Sequence, residues 1–363
     1  MAKEHWLWLA HCIGFGGNIC TLIDHFGTAK NIYENLDEVK SEHLATAKQF
    51  KKMQEITLCD MTKNIEEHTK KDIKIACFDE DEYPEQLKEI STPPAVLYYK
   101  GDINVCKNSL NIGVVGSRNP SAYGVEVAKV ICKDLANAKS ILVSGLAAGL
   151  DSEAHKAALG VGVQTVAVIG TAIDECYPAA NFTLRSLIEK NGVVISEYPI
   201  GTKGFPSYFV LRNRIIAGIS RGLCVIEAKK RSGTMSTVNF ALDFDRDIFA
   251  VPGSIFSSLS EGTNYLISQG ATPVCSAADI LTEYGINIKG KPLDEVAQVA
   301  MPKLEGIALQ IFSVLTAKPQ GLAEICEKAK ITPSQCLAQL TMLEMDGLAK
   351  QLAGRQFIKG GLY

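Results

Sequence analysis

The sequence, 363 residues long, predicts a doubly wound α/β sheet with a helical segment before it and a small helical module after it. Two observations carry this. Short, nearly all-apolar runs recur through the middle of the chain, as strands covered on both faces require. Glycine-rich turns and helical stretches alternate with these runs. Strand, tight turn and helix repeated in this way build a mostly parallel sheet with right-handed crossovers.

The strand candidates are NIGVVG (111–116), SILVSG (140–145), QTVAVIG (164–170), GVVISE (192–197), GLCVIEA (222–228), DIFAVPG (247–253) and ATPVC (271–275). Helical stretches fall at Gly124–Ala138, Ser152–Leu159, Phe182–Asn191, Arg214–Ile219 and Met235–Phe244. Residues 1 to about 70 are helix-like and carry Gly14, Gly16, Gly17 and Gly27. A polar stretch, GINIKGKPLDEVAQVAMPK (285–303), separates the sheet region from a tail of short helical periods and a terminal strand pair. The domains expected are 1–70, 71–288 and 304–363, with 289–303 as linker.

Composition narrows the function. A chain that is 47% hydrophobic and 21% charged is neither disordered, collagenous nor a coiled coil throughout. A net charge of -3 excludes coating of duplex DNA by bulk charge, so nucleic-acid binding needs a local patch. No run of apolar residues is long enough to predict a membrane span. The opening MAKEHWLWLAHCIGFGG reads as a helix of the fold, because Glu4 precedes the apolar run and His11 interrupts it. The 11 cysteines are scattered without a C-x-x-C pair, and several lie in apolar runs (Cys132, Cys224). They read as buried thiols of a cytoplasmic protein, not as a disulfide or zinc framework.

In doubly wound sheets, ligands sit outside the carboxyl ends of the strands. The turns there are GSRNPSAYG (116–124), GLAAGLDSEAH (145–155), GTAIDECYPAAN (170–181) and AKKRSGTMST (228–237). Glycine admits close backbone approach, and helix N-termini present free N–H groups, so several such turns on one edge make an anion site. Arg118, Lys229, Lys230 and Arg231 add charge there. Neither G-x-x-x-x-G-K-[ST] nor a G-x-G-x-x-G after a strand occurs, which argues against a P-loop ATP site or the usual NAD fingerprint. In FPSYFVLRNRIIAG (205–218), Phe205, Tyr208 and Phe209 directly precede Arg212 and Arg214. Two readings stand for that segment. Rings and guanidinium groups suit single-stranded nucleic acid; equally, the aromatics could be a buried anchor with Arg214 in an internal salt bridge. Asp151 and His155 are spaced as an acid–base pair or as a helix cap beside a structural histidine. Asp243, Asp245 and Asp247 read as a solvated turn. Cys326 and Cys336 lack a neighbouring histidine for zinc.

At these turns the sequence resembles the DprA/Smf family of DNA-processing proteins. The resemblance rests on DEYPEQLKEISTPPAVLYYKG (81–101), VVGSRNPSAYG (114–124), LVSGLAAGLDSEAHKAAL (142–159), AVIGTAIDECYPAAN (167–181), VISEYPIGTK (194–203), RNRIIAGIS (212–220) and SGTMSTVNFALDFDRDIFAVPG (232–253), in order. It implies an extended Rossmann-like sheet. Residues 10–35 look like a SAM or helix-hairpin-helix cap, and residues 304–358 look like a winged helix. The family's function implies single-stranded DNA binding and protection, loading of the RecA recombinase during natural transformation, and a homodimer. It implies no cofactor, no metal, no membrane and no catalysis. Carried over by position, Gly116, Ser117 and Arg118 look like phosphate contacts, as does Lys203. Phe209 matches a base-stacking aromatic, and Arg212 and Asn213 open a helix lining the pocket. Ser232, Gly233 and Thr234 of the SGT turn are carried over with them as DNA contacts. Val210 stands where family members usually carry proline after that phenylalanine, which would loosen a stacking loop.

The rival reading is an enzyme resembling the lonely-guy phosphoribohydrolases, whose PGGxGTxxE turn supplies a glutamate for glycosidic chemistry. The comparable stretch is RSGTMST (231–237), with Ser236 where that acid would stand. A third reading makes the tail a duplex-DNA regulator. Its candidate recognition helix, PSQCLAQLTMLEMDG (333–347), has no Lys or Arg, which favours protein docking over groove reading.

Overall fold

The computed structural model describes residues 3–108, 110–287, 304, 306–316, 320–345, 348–352 and 356–359. The proposed linker at 289–303 lies outside the described residues. Contacts divide the chain into two compact units, Met1–Leu293 and Asp294–Tyr363.

The first unit is organised by a nine-stranded sheet. Its strands are β1 (Lys74–Cys77), β2 (Val96–Gly101), β3 (Asn111–Val115), β4 (Ile141–Ser144), β5 (Thr165–Ile169), β6 (Val193–Ser196), β7 (Gly222–Val225), β8 (Asp247–Ala250) and β9 (Thr272–Pro273). Their spatial order is β1-β2-β6-β5-β4-β3-β7-β8-β9. From β6 to β9 all neighbours are parallel, and the seven runs read from the sequence supply these strands. β1 and β2 add an antiparallel edge that the list of apolar runs did not contain. The order reverses at β3. The chain leaves β3 toward β4, β5 and β6, then returns across the sheet to place β7 on the other side of β3. The crevice between β3 and β7 is therefore the topological switch point, where α/β sheets bind ligands.

Alternate residues explain why the strands are apolar throughout. Val143, Val166, Val168 and Ile195 pack on one face, against α10 (Pro206–Ile219) and α11 (Gly233–Asp243). Ile112, Val114 and Leu142 face α7 (Ala122–Asn137), α8 (Leu150–Gly160) and α13 (Ala277–Glu283) on the other. The remaining helices of the unit are α9 (Phe182–Asn191), α12 (Glu261–Ser268) and the N-terminal α1 (Lys3–Ile13), α2 (Cys20–Phe26), α3 (Ala29–Glu34), α4 (Leu36–Ser41), α5 (Ala47–Glu55) and α6 (Leu58–Lys70). These six N-terminal helices share a core with the sheet: Trp6, Leu7 and Leu9 bury with Val96, Tyr98, Ile169 and Val194. α6 is pinned by His68. Its ring stacks on Tyr98 at 4.6 Å, and its Nε2 accepts the Ile200 N–H at 3.1 Å.

The helix expected over Arg214–Ile219 starts eight residues earlier. Pro206 takes its first position, where a missing N–H and a fixed φ cost nothing. Phe209 and Val210 thus belong to a helix and not to a loop. A proline at 210 would be the costly residue there, so Val210 does not loosen the segment. The core of α10 is fixed by Arg214, which is fully buried and donates from Nη2 to Glu197 Oε1 at 2.6 Å. That settles the second reading of Arg214: it is an internal salt bridge.

The second unit has helices Gly306–Val314, Leu322–Ala329 and Pro333–Met345 and a three-stranded antiparallel sheet of β10 (Gln320–Gly321), β12 (Gln356–Lys359) and β11 (Ala349–Leu352), in that order. Ile311, Ile325, Leu340 and Phe357 form its core. This is the winged-helix pattern.

Removing one partner of a buried pair strands the other charge, at a cost of about 3–5 kcal/mol. Glu197→Ala is expected to lower unfolding stability by that order, measured by urea denaturation. Replacing both partners, as Glu197→Leu with Arg214→Met, should recover most of the loss. A single variant as stable as the parent would refute the anchoring role.

Candidate nucleic-acid interface

The switch-point crevice opens as a cleft of about 580 Å³. Its walls come from four strand ends. Gly116, Ser117, Arg118 and Asn119 follow β3, Ala147 and Asp151 follow β4, Tyr177 follows β5, and Lys229, Ser232, Gly233 and Thr234 follow β7. α10 supplies Phe209, Arg212 and Asn213 from above the sheet edge. The fold thus brings together Gly116, Ser117, Arg118, Phe209, Arg212, Asn213, Ser232, Gly233 and Thr234. Lys203 is exposed on the turn before α10 and does not line the cleft.

The turn after β3 is built for close approach. A Cβ at Gly116 would meet Leu150 Cδ1 at 2.3 Å, and Gly149, at φ +80°, lets α8 begin against the Ser117 carbonyl. Ser117 Oγ accepts the Asn119 N–H at 3.1 Å, which shapes the turn and leaves the hydroxyl proton for a ligand. Glu227, buried after β7, accepts the Ser121 N–H at 2.9 Å and holds the start of α7. Across the crevice, Thr234 Oγ1 donates to the Gly116 carbonyl at 3.2 Å, tying the first turn of α11 to the β3 turn. Ser232 precedes α11, but its hydroxyl turns back to the Lys229 carbonyl, so no side chain caps that helix. The N–H groups and positive dipole end of α11 open on the cleft.

Arg118 is exposed, and its guanidinium lies 5.8 Å from the centre of the Phe209 ring. Phe209 packs on Gly170, where a Cβ would come within 3.0 Å of the ring, and is half-buried. Tyr177 stands beside it at 5.3 Å and is 57% exposed. Sequence reasoning missed Tyr177; the signal was its place in the CYPAAN turn at a strand end. The expectation that Arg212 and Asn213 open the helix is corrected, since both lie in its second turn. Arg212 is buried, and its Nη1 donates to the carbonyls of Gly145 (2.7 Å) and Val168. Burial draws its pKa down to about 10, so it remains a cation on the cleft floor. Asn213 Nδ2 donates to Ser236 Oγ at 2.8 Å and docks α11 on α10.

The acid–base alternative fails on geometry. Asp151 accepts the N–H groups of Gly145 (3.1 Å) and Ala147 (3.4 Å), closing the turn after β4. Burial pushes its carboxyl up, against the pull of Arg212. His155 Nδ1 pairs with Thr165 Oγ1 at 2.8 Å, and burial lowers the ring to about 3. Ser236, where the rival enzyme reading needs an acid, bonds to the Gly233 carbonyl at 2.7 Å. Asp247 accepts from the Tyr284 hydroxyl at 2.8 Å, and among the described residues no cluster of three acidic, His or Cys side chains could hold a metal. The arrangement offers fixed cations, free N–H groups and open ring faces, which suit a phosphate chain with stacked bases.

Residues 74–285 match the model of the DNA recombination-mediator protein A family, and residues 295–355 match the DprA winged helix domain. The chain belongs to the DNA recombination-mediator protein A family. Its relatives in that DprA/Smf family include DNA processing protein DprA of Streptococcus pneumoniae, 44% identical over 56% of this chain and 72% of the relative. Protein Smf of a Synechocystis strain is 32% identical over 81% of this chain and 82% of its own length. Among solved DprA structures, the S. pneumoniae protein superposes with a TM-score of 0.60 at 40% identity, covering 65% of this chain and 81% of that one. The Helicobacter pylori protein, described for its single-stranded DNA binding mode, gives 0.53 at 25% identity, covering 58% and 95%.

The state of His155 gives a pH dependence. A ring at about 3 when folded and near 6.5 when unfolded takes up its proton only on unfolding between those values. Its share of stability is complete above pH 6.5 and is lost as pH falls toward 3. Replacing it as His155→Gln should flatten the stability profile across that window, measured by denaturation at stepped pH. An unchanged acid limb would show that His155 is charged in the fold.

Proposed function

We propose that this chain binds single-stranded DNA through the β3/β7 cleft, with little sequence preference, and acts as a recombination mediator. The observation that carries the reading is Arg118 set over the Phe209 ring at the mouth of an uncapped helix N-terminus. A phosphate pairs with the guanidinium and the free N–H groups, and a base stacks on the ring. Ser117 and Lys229 extend the phosphate path, and Tyr177 offers a second ring in the same cleft. Arg212 charges the floor from below. The H. pylori relative's description as a single-stranded DNA binder supports the substrate.

From the family, the reading extends to handing the coated strand to a RecA-type recombinase during uptake of DNA, as a cytoplasmic homodimer. Cys132 and Cys224 are buried as expected, whereas Cys59 and Cys275 are exposed, which corrects the reading of all the cysteines as buried thiols. No described helix is long and apolar enough to cross a membrane. The helix Pro333–Met345, without a basic residue, is read as protein-docking.

Fluorescence anisotropy with single-stranded and duplex oligonucleotides at two salt concentrations tests the core claim. Duplex binding as tight as single-strand binding at physiological salt would overturn it. Two variants separate the contacts. Arg118→Ala should weaken binding to all sequences and reduce the log–log salt slope by about 0.7, one phosphate's worth of released counterion. Phe209→Ala should cost about 1–3 kcal/mol and leave the slope as it was, because stacking releases no counterions. Both need an unchanged thermal midpoint, since Phe209 also packs on Gly170. An Arg118→Ala protein with unaltered affinity and slope would remove that residue from the site.

A further inference from the structure

We propose that the bound strand continues past Phe209 onto a second base-stacking platform, built from Phe15, Phe205 and Tyr208, with Lys203 as its phosphate contact. The proposal rests on the reading of the cleft above and extends it to the N-terminal helices, outside residues 74–285.

Phe205 immediately precedes α10 and is 51% exposed, and Phe15, on the turn after α1, is 36% exposed. Both meet Tyr208 edge-on, Phe205 at 5.4 Å and Phe15 at 5.6 Å. Tyr208 is itself stacked on buried Tyr198 at 4.4 Å, with the rings 16° apart. Three rings are thus held in fixed relation around the first turn of α10, two of them substantially open to solvent. Large exposed aromatics gathered in this way mark a binding surface rather than a core.

The turn that presents Phe15 is built, not loose. Gly16 has φ +68° and sits so close to α10 that a Cβ would meet Leu211 Cδ1 at 2.4 Å. Its N–H donates to Glu197 Oε1 at 3.2 Å, the same oxygen that holds Arg214. The positive φ favours glycine at this position, and the turn joins the helical layer to α10 through Leu211 and Glu197.

The occupant is the next nucleotide of the same strand. Tyr208 and Phe209 are consecutive on a helix, so their rings leave it about 100° apart and a chain crossing the first turn meets both. Lys203 is exposed, and no ion pair holds it among those of the described residues. It stands two residues before Phe205 in the chain, and cations combined with aromatic rings are the pairing that sequence-tolerant single-strand binders use.

Anisotropy with the full chain and labelled oligothymidylates of increasing length tests this. The shortest oligomers, held by the cleft alone, should bind Phe205→Ala as tightly as the parent. Long oligomers should lose about 5- to 150-fold, one stack. Lys203→Ala should reduce the salt slope for long oligomers by about 0.7. Phe15→Ala should reproduce the Phe205 effect from the other side of Tyr208. Because Phe15 also packs on Tyr198, the more exposed Phe205 is the primary variant, and an unchanged thermal midpoint shows that its fold is kept. If Phe205→Ala and Lys203→Ala bind long oligomers like the parent while Arg118→Ala and Phe209→Ala weaken binding, the second platform is overturned and the cleft stands. If all four bind like the parent, both readings fall.

Discussion

The placement of α10 is the constraint on which the site depends. To put β7 on the far side of β3, the chain must cross the sheet after β6, and α10 is that crossing. Three consecutive polar residues seat it. Arg212 donates to carbonyls at the ends of β4 and β5, Asn213 reaches the first turn of α11, and Arg214 pairs with Glu197 beyond the end of β6. Desolvating Arg214 is expensive, and the pair regains that cost only through close geometry. Its return is positional. With the helix rotation fixed at 212–214, Phe209 one turn earlier must face Gly170 and Arg118, and Tyr208 must face Tyr198.

Two buried glutamates divide the labour at the strand ends. Glu197 gathers α10 and the Gly16 turn, while Glu227 gathers the start of α7 and, through it, the β3 turn. A Cβ at Gly124 would meet the Glu227 carboxylate at 2.3 Å, so the glycine lets that helix approach its anchor. Neither carboxylate is presented as a reagent. The rigid shell they make holds Arg118 and the open end of α11 ready, so a ligand does not have to organise them on binding.

The sequence was most legible where burial was two-sided. The parallel strands read as unbroken apolar runs because helices cover both faces, and the strand-end turns then located nearly all of the cleft. β1 is only four residues long, and β2, although its run AVLYY (95–99) is apolar and buried, lies in the stretch 81–101 that is otherwise rich in charge and proline. The start of α10 was hidden because Gly204, Pro206 and three aromatics look like loop text. Pro206 at the first helical position was the available sign. For Arg214, composition allowed both a ligand contact and a salt bridge. Only the neighbouring strand end, seventeen residues away in sequence at Glu197, decides between them. Tyr177 is a related case: its strand-end turn marked the place, but its role comes from Phe209, on another element.

The same division takes Asp151 and His155 out of acid–base chemistry. Catalytic acids and bases need a pKa near working pH and reach to a substrate proton. Here His155 is held neutral against Thr165, and Asp151 is occupied by backbone N–H groups of its own turn. What remains for a ligand is a guanidinium that is charged at every physiological pH, helix N–H groups and ring faces. Such groups respond to ionic strength far more than to pH. On the reading proposed above they would treat every nucleotide alike, because each carries one phosphate and one π face.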